Sequence, residues 1–162
     1  MLRARRRKPI DMKLSSKQLG NIGELKAALE FAKFGIPIYF PFGDNESADL
    51  LAEFNGKLNR IQVKSTTTNN GSFVTFSLKS SMRGYVHYYT KEEVDYFALY
   101  DAIADKLYLM PFTPKQNISL RFKKPKNNQK AGILFASDYL IENVLLNKYL
   151  KGTNDTKDIK AQ

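Results

Sequence analysis

The sequence contains no cysteine and no tryptophan, and His87 is its one histidine. Without cysteine the chain can form neither a disulfide framework nor a cysteine-bound zinc site. A single histidine also argues against a histidine-rich zinc site or a catalytic triad. No apolar run approaches the roughly 20 residues that a membrane span needs, and none follows the basic N-terminus as in a secretory signal. We therefore expect a cytoplasmic protein that has no membrane partner.

Acidic residues are missing from two long segments. No Asp or Glu occurs from Phe54 to Lys91, which holds six Lys and Arg residues, or from Lys106 to Ser137, which holds seven. A third basic cluster opens the chain with Arg3, Arg5, Arg6, Arg7 and Lys8, and the formal net charge is +10. Because Lys and Arg bind phosphates, this distribution favours a nucleic acid as partner. The alternative is a surface kept soluble by charge, but such surfaces usually mix both signs.

The length of 162 residues fits one domain with a single core. We expect a basic N-terminal arm at residues 1–13, one domain at 14–152 and a disordered tail at 153–162. The pattern predicts a first helix from about Ser16 to Phe34 and a last helix from Ser137 or Asp138 to Leu150. Apolar residues at helical spacing are expected to turn the first helix toward the core: Leu19, Ile22, Leu25, Leu29 and Ala32.

Strand patterns fill the region between these helices. We predict strands at Ile36–Phe40, Leu50–Phe54, Lys57–Thr66, Phe73–Leu78, Tyr96–Tyr100, Lys106–Phe112 and Ile118–Phe122. The segment from Lys79 to Tyr89 is expected to be irregular. A helix, a mixed sheet and a closing helix give an α/β architecture.

The most informative strand pair is joined by Asn55-Gly56, the strongest signal for a two-residue hairpin turn. With these two residues as the loop, Phe54 pairs with Lys57, and the register then places Asp49 opposite Gln62. Gln62 and Lys64 share a face because side chains alternate along a strand. Directly opposed Cβ atoms lie about 5 Å apart. A carboxylate, an amide and an ammonium group thus converge, which is a plausible site for a hard metal ion.

Glu24 is a candidate fourth member of this site, in the middle of the first helix beside Gly23. Glycine inside a helix costs about 1 kcal/mol relative to alanine and often marks close packing or the approach of a ligand. Taken singly, Glu24 reads as an exposed helix charge, Asp49 as a turn residue, and Gln62 and Lys64 as the polar face of a strand. Together they form a much rarer set.

The motifs Gly23-Glu24, Ala48-Asp49-Leu50 and Gln62-Val63-Lys64 resemble those of the PD-(D/E)XK nuclease superfamily. The chain departs from that pattern in two places, with Ala48 before the acidic residue and Gln62 in place of the usual carboxylate. The glutamine, the spacing and two downstream segments are similar to homing endonucleases of bacterial group I introns, particularly the cyanobacterial initiator-tRNA-intron type. Those segments are Thr90–Ala98 and Tyr108–Pro111, and the resemblance covers most of residues 13–150.

This resemblance implies a restriction-endonuclease-like core and Mg²⁺-dependent, site-specific cleavage of double-stranded DNA. Asp49, Glu24 and Gln62 would bind the metal, and Lys64 would orient or deprotonate the attacking water and stabilise the transition state. We expect Mn²⁺ to substitute for Mg²⁺, and Ca²⁺ to support binding without cleavage. The resemblance also implies a homotetramer that uses two subunits for DNA, with a dimer as the alternative. The closing helix could supply an interface or simply complete its own core.

For base reading we predict the Thr66–Phe76 segment, as a two-stranded ribbon that can enter a major groove. Arg83 and the Tyr85–Tyr89 run are second candidates, although these tyrosines are more often core or stacking residues. Phosphate contacts are expected from Lys115, Arg121, Lys123, Lys124, Lys126 and Lys130. The predicted DNA-contacting residues are Thr66, Thr67, Thr68, Asn69, Asn70, Ser72, Thr75, Lys79, Arg83, Lys123, Lys124 and Lys126.

Two other functions remain open at the level of sequence. A junction-resolving or restriction nuclease on the same fold would share the catalytic residues, although Gln62 argues mildly against it. A basic nucleic-acid-binding protein that has lost catalysis would explain Gln62 as a relic of that loss.

Overall fold

The computed structural model describes residues 14–43, 46–82, 84–124 and 132–152. The predicted basic arm and C-terminal tail lie outside these residues, and so do three predicted DNA contacts, Arg83, Lys126 and Lys130.

The first helix, α1, spans Ser16–Lys33. Its N-terminus is closed by a capping box: Ser15 Oγ accepts from the Gln18 amide at 3.2 Å, and Gln18 Oε1 accepts from the Ser15 amide at 2.9 Å. Gly35 follows the helix with φ of +67°, a conformation that favours glycine. These ends agree closely with the prediction.

The predicted core-facing side of α1 is largely wrong. Leu19 packs against the core as expected, but Leu25 and Leu29 are 70% and 52% exposed. The buried residues are Gly23, Ala27 and Phe31. Gly23 permits a close approach of α1 to β3 that a larger side chain at that position would prevent, and Phe31 fills the core farther along the helix.

The strands are β1 (Ile38–Tyr39), β2 (Leu50–Phe54), β3 (Lys57–Thr66), β4 (Phe73–Ser77), β5 (Lys79–Met82), β6 (Tyr85–Tyr88), β7 (Tyr96–Asp101), β8 (Lys106–Pro111) and β9 (Asn117–Arg121). Five of them form a mixed sheet in the order β1-β2-β3-β7-β8, in which only β3 and β7 are parallel. This sheet with its flanking helices confirms the predicted α/β class.

The β2–β3 hairpin has the register predicted from Asn55-Gly56. Phe54 pairs with Lys57 and Leu50 with Ile61. Both turn residues have positive φ, 56° for Asn55 and 65° for Gly56, as a two-residue turn of this kind requires.

Two apolar clusters cover the two faces of the sheet. On one face Phe31 of α1 joins Ile61, Val63 and Leu109. On the other face the two-stranded β4–β9 sheet packs Phe76 and Leu120 against the sheet. The alternation along β3 therefore sends Val63 toward α1, while Gln62 and Lys64 project from the opposite face.

The end of the chain is not one continuous helix as predicted. It forms α2 (Ala136–Tyr139) and α3 (Ile141–Gly152), separated at Leu140, whose φ and ψ are −51° and 129°. Leu140 leaves the helical conformation because it forms a bridge with Tyr108 of β8. Ile141 and Leu145 are both 1% exposed and pack in the core of their own chain.

One further prediction is wrong, because the Lys79–Tyr89 segment is not irregular but forms the β5–β6 hairpin. The predicted Thr66–Phe76 ribbon is present only in part. Asn69 and Val74 form an antiparallel bridge, flanked by hydrogen bonds from the Asn70 amide to the Phe73 carbonyl at 3.3 Å and from the Thr75 amide to the Thr68 carbonyl at 3.0 Å, while the regular partner of β4 is β9. None of the helices in the described ranges is both long and apolar enough to cross a membrane.

Candidate active site

Asp49 lies at the entrance to the β2–β3 hairpin, where its amide donates to the Ile61 carbonyl at 2.9 Å. Its carboxylate turns toward β3, and Oδ2 accepts from the Gln62 side-chain amide at 2.5 Å and from the Val63 backbone amide at 2.6 Å. The structure therefore brings Asp49 and Gln62 together across the hairpin.

Gln62 is buried, with only 7% of its surface exposed. Its Nε2 faces Asp49 and also donates to the Val63 carbonyl at 3.3 Å. In this state Gln62 acts as a donor that holds the carboxylate. Its oxygen would face an ion beside Asp49 only after the amide group rotates by about half a turn.

Lys64 projects from the same face of β3 as Gln62. Its Nζ donates to the Tyr89 hydroxyl at 2.9 Å and lies 4.7 Å from the centroid of the Tyr89 ring. The positive charge of Lys64 opposes the rise that burial causes in the pKa of Asp49, so the ammonium and carboxylate groups interact electrostatically.

Glu24 lies on α1, which packs on the Val63 face of the sheet, and its half-buried side chain is linked to the site through the charge of Asp49. Burial raises the pKa of Glu24 above its ordinary value, and the negative charge of Asp49 raises it further. A β-carbon at Gly23 would overlap the Ser65 hydroxyl and lie 3.3 Å from Val63 Cγ1. Glycine at position 23 thus lets α1 approach the two residues that flank Lys64, and this approach brings Glu24 toward Asp49.

The Asp49 carboxyl also has a raised pKa. Burial is the largest cause, and it outweighs the opposing effects of the Val63 amide, the Lys64 charge and the Gln62 amide. Burial is the largest cause of both raised pKa values, and only the pKa of Glu24 is raised further by the charge of the other acid, so the two carboxylates are partly removed from water. Such a site favours a cation.

The residues present fit a divalent ion such as Mg²⁺. The carboxylates of Asp49 and Glu24 are hard oxygen donors, the kind that Mg²⁺ prefers, and Gln62 would add an oxygen only after its amide group rotates. Across the described parts of the chain, no three His, Cys, Asp or Glu residues lie close enough to hold a metal ion by themselves. Water and substrate phosphate oxygens would have to complete the coordination, as is usual for Mg²⁺.

Several predicted DNA-contacting residues hold the loop after β3 in shape. The Asn69 side-chain amide donates to the buried Asp101 carboxylate. Asn70 Oδ1 accepts from the Ser72 and Phe73 amides, both at 3.0 Å. These two asparagines therefore have structural partners within the described residues.

The remaining predicted contacts are spread over one loop and two strand ends. Thr66 ends β3 and accepts from the Thr68 amide through Oγ1 at 3.0 Å, and Thr75 shares a hydrogen bond of 2.9 Å with Ser119. Exposed side chains among the predicted set are Thr67, Thr68, Asn70, Ser72, Lys123 and Lys124, while Lys79 is half-buried at the start of β5. Their role in DNA binding stays a prediction.

The sequence did not predict the contacts that a further group of residues makes beside the site. Tyr89 contacts Lys64, His87 Nε2 lies 3.0 Å from Glu93 Oε1, and Ser47 Oγ donates to the same oxygen at 2.8 Å. The usable signal was Thr90-Lys91-Glu92-Glu93, a capping-box pattern that predicts a helical turn here. Glu93 Oε2 does accept from the Thr90 amide at 2.8 Å.

The chain belongs to the PD-(D/E)XK endonuclease family, whose model matches residues 14–142. This membership confirms the resemblance seen in the sequence and assigns the chain to the nucleases, which in this family generally use divalent metal ions. Among solved structures, the fold is similar to that of a bacterial homing endonuclease, I-Ssp6803I, with a TM-score of 0.63 and 21% sequence identity. The match covers 89% of this chain and 99% of that one. No curated protein matches the sequence significantly.

Proposed function

We propose that the protein is a Mg²⁺-dependent, site-specific endonuclease for double-stranded DNA of the intron-homing type. The observation that carries this proposal is the convergence of Asp49, Gln62 and Lys64 on one hairpin, with Glu24 electrostatically coupled to Asp49. The similar fold of a bacterial homing endonuclease and the two long segments without acidic residues support it.

Asp49 and Glu24 are the residues that would hold the ion, and Gln62 would contribute its carbonyl oxygen after rotation of its amide. When bound, Mg²⁺ neutralises charge on the scissile phosphate and makes a bound water more acidic. Because Gln62 supplies no negative charge, the protein alone should bind the ion weakly. Substrate phosphate would then strengthen metal binding, so ion and DNA would bind cooperatively.

Lys64 is the cation of the site. Its ammonium group would orient the attacking water or, in its neutral form, remove a proton from it. It would also stabilise the negative charge that develops on the phosphate in the transition state. The Val63 amide and Gln62 keep Asp49 turned toward β3, and this arrangement fixes the carboxylate relative to Lys64.

Cleavage of both DNA strands at one target requires more than one such site. We propose that the protein acts as a homo-oligomer, a tetramer by resemblance with a dimer as the alternative. Closed symmetric oligomers place identical sites in a fixed relationship, and this arrangement would also lengthen the DNA sequence that a small protein can read.

The test is cleavage of a library of randomised DNA duplexes in Mg²⁺, followed by sequencing of the new ends. We expect breaks at a restricted set of sequences, abolished in Asp49→Ala and Lys64→Ala, with Mn²⁺ supporting cleavage and Ca²⁺ supporting binding alone. Breaks at all sequences would contradict site specificity. Breaks that persist in both variants would show that this hairpin is not the active site.

One observation favours a second candidate, a nucleic-acid-binding protein without catalytic activity. The Gln62 amide nitrogen already occupies the space beside Asp49 where a metal ligand is expected. If the protein binds DNA tightly but leaves every duplex of the library intact in Mg²⁺ and in Mn²⁺, this second function is the correct one.

A further inference from the structure

Tyr89 follows the β5–β6 hairpin directly and contacts Lys64. Its hydroxyl oxygen accepts a hydrogen bond from Lys64 Nζ at 2.9 Å, and its ring centroid lies 4.7 Å from the same nitrogen. The phenolic oxygen therefore holds the ammonium group, which lies beyond the ring edge on the hydroxyl side. Among the contacts described for Lys64 Nζ, this hydrogen bond is the one that fixes its position.

The Tyr89 ring is itself held on two sides. It makes an edge-to-face contact with Phe97 at 5.9 Å and another with His87 at 5.0 Å. Phe97 is 1% exposed and belongs to the core, so one of the two supports is rigid. His87 is in turn close to Glu93, whose other oxygen accepts from the Thr90 amide.

This support matters because a lysine side chain has several rotatable bonds. Holding one rotamer costs up to about 2 kcal/mol of side-chain entropy when no partner compensates. A group that must meet a water and a phosphate in one geometry reacts faster when that cost is met before the substrate binds.

We propose that Tyr89 is a positioning residue that holds the Lys64 ammonium group in the orientation needed for DNA cleavage. This inference rests on the proposed nuclease function. Tyr89 acts through Lys64 and need not touch DNA. Its hydroxyl accepts the hydrogen bond from Lys64, and its ring, which contacts Phe97 and His87, keeps that hydroxyl in place.

The first experiment compares Tyr89→Phe, Tyr89→Leu and the control Tyr139→Phe, which removes a hydroxyl from α2 away from Lys64. Single-turnover cleavage is measured in Mg²⁺ with the protein in saturating excess over DNA, and DNA affinity is measured separately in Ca²⁺. Tyr89→Phe should slow cleavage roughly tenfold, at the lower end for losing a hydrogen bond to a charged group. Tyr89→Leu should be slower still, whereas Tyr139→Phe should match the wild type.

A positioning role requires DNA affinity and thermal stability to stay near the wild-type values while the cleavage rate falls. Unchanged cleavage in Tyr89→Leu would overturn the proposal. A loss of cleavage that merely follows a loss of DNA affinity, or of folded protein, would overturn it as well, because Tyr89 would then be a DNA contact or a structural residue.

A second experiment needs no nuclease activity. The acylation rate of Lys64 in the free protein is measured by peptide mass spectrometry, with exposed Lys17 as internal reference. We expect Lys64 to react several-fold faster in Tyr89→Leu than in the wild type, with an intermediate rate in Tyr89→Phe. If the wild type fails to cleave DNA but this order appears, the nuclease proposal fails while the Tyr89–Lys64 contact stands. Equal Lys64 rates in all variants would overturn the contact itself.

Discussion

Gly23 of α1 packs against Ser65 of β3 so closely that a β-carbon on the glycine would overlap the serine hydroxyl. The Ser65 oxygen is buried and has no hydrogen-bond partner among the described residues. Burying an unpaired hydroxyl costs free energy. The approach of α1 to the strand that carries Lys64 is therefore maintained against that cost.

Replacement of Gly23 by alanine should destabilise the protein even though alanine favours helices. The new methyl group must displace Ser65 or shift α1, and steric overlap of this kind typically costs about 1–3 kcal/mol. Thermal or urea unfolding measures the loss. The matched control is Gly20→Ala, because a β-carbon there meets nothing within 4 Å. That change should stabilise by about 0.5–1 kcal/mol through helix propensity.

Ser65→Ala should rescue much of the damage caused by Gly23→Ala, since it removes the atom that overlaps. On its own, Ser65→Ala should be neutral or slightly stabilising, because it removes a buried hydroxyl that has no partner. If the stability change of the double variant equals the sum of the changes in the two single variants, overlap with Ser65 does not cause the destabilisation by Gly23→Ala.

Glu24→Gln should stabilise the metal-free protein at neutral pH. Burial and the Asp49 charge raise the pKa of Glu24 in the folded state, so keeping this group ionised costs folding free energy at neutral pH. The stability gained by Glu24→Gln is full above the raised pKa of Glu24 in the folded state. It disappears as the pH falls through that pKa and below the pKa of the unfolded state, because Glu24 is then protonated in both states. Because the Glu24 side chain is partly exposed, solvent screening keeps this gain small, and it should appear as a small rise in Tm.

The measurement is thermal unfolding with a chelator present, from pH 3.5 to pH 8. Glu53→Gln on β2 is the control, since Glu53 is exposed and should leave Tm nearly unchanged. If Glu24 holds the ion, the wild type should have a higher Tm than Glu24→Gln in Mg²⁺, because the wild type alone gains the full stabilisation from the bound metal. An Mg²⁺-induced rise in Tm that is equal in both proteins would exclude Glu24 from metal binding.

Gln62→Glu should lower stability without metal and increase the stabilisation produced by Mg²⁺. The change removes the donor that faces Asp49 and places a second carboxylate at the same point. Loss of a hydrogen bond to a charged group costs about 1.5–3 kcal/mol. A third acidic ligand strengthens the attraction for a divalent ion. Thermal unfolding with and without Mg²⁺ measures both effects.

The control for this change is Gln116→Glu, which adds the same charge at an exposed position before β9. It should alter neither stability nor the response to Mg²⁺ to a comparable extent. The ligand role of Gln62 is wrong if Mg²⁺ stabilises Gln62→Glu no more than it stabilises the wild type.

DNA affinity should fall steeply with salt, and removal of exposed lysines should reduce that dependence. Lys123→Ala and Lys124→Ala should each weaken binding to all sequences alike and lower the slope of log K against log salt by about 1. Lys33→Ala removes a lysine that pairs with Glu30 on α1 and serves as control. Binding in Ca²⁺ at several salt concentrations gives the slopes, and slopes equal to that of the wild type would rule out phosphate contacts by these lysines.

The hairpin could be predicted from the sequence because its determinants are local. Asn55-Gly56 fixes the turn, the turn fixes the register, and the register places Asp49 beside Gln62. The side of α1 that packs could not be predicted in the same way. The helix carries both a leucine stripe and a stripe that contains Gly23, Ala27 and Phe31. The distance between helix and sheet decides which of the two is buried.

Two other features depend on contacts that the local sequence does not encode. The β6 strand has four exposed residues, so its pattern lacks the alternation that marks a half-buried strand. Tyr89 reaches Lys64 across 25 positions of sequence because β3 and β7 pair in parallel and bring Phe97, which supports Tyr89, beside Gln62. No local motif predicts such an encounter.

Asp95→Asn should lower stability by about 2 kcal/mol, because Asp95 joins the start of β7 to β3 through hydrogen bonds from charged donors. Its Oδ2 accepts from Arg60 Nε and from the Arg60 amide, both at 2.9 Å, and Oδ1 accepts from Lys57 at 2.9 Å. The Arg60 side chain is the largest cause that holds the pKa of Asp95 well below its usual range, even though burial opposes it. The contribution of Asp95 to stability is thus complete above the pKa of Asp in the unfolded chain, about 3.9, and is lost as the pH falls toward the lower pKa of the folded state.

Urea unfolding at pH 7 and at pH 3 measures the stability lost in Asp95→Asn and its dependence on pH. Asp105→Asn is the control, since that carboxylate pairs with Lys26 but its side chain is 69% exposed. An equal loss of stability in the two variants at pH 7 would show that Asp95 contributes no more than a surface ion pair does.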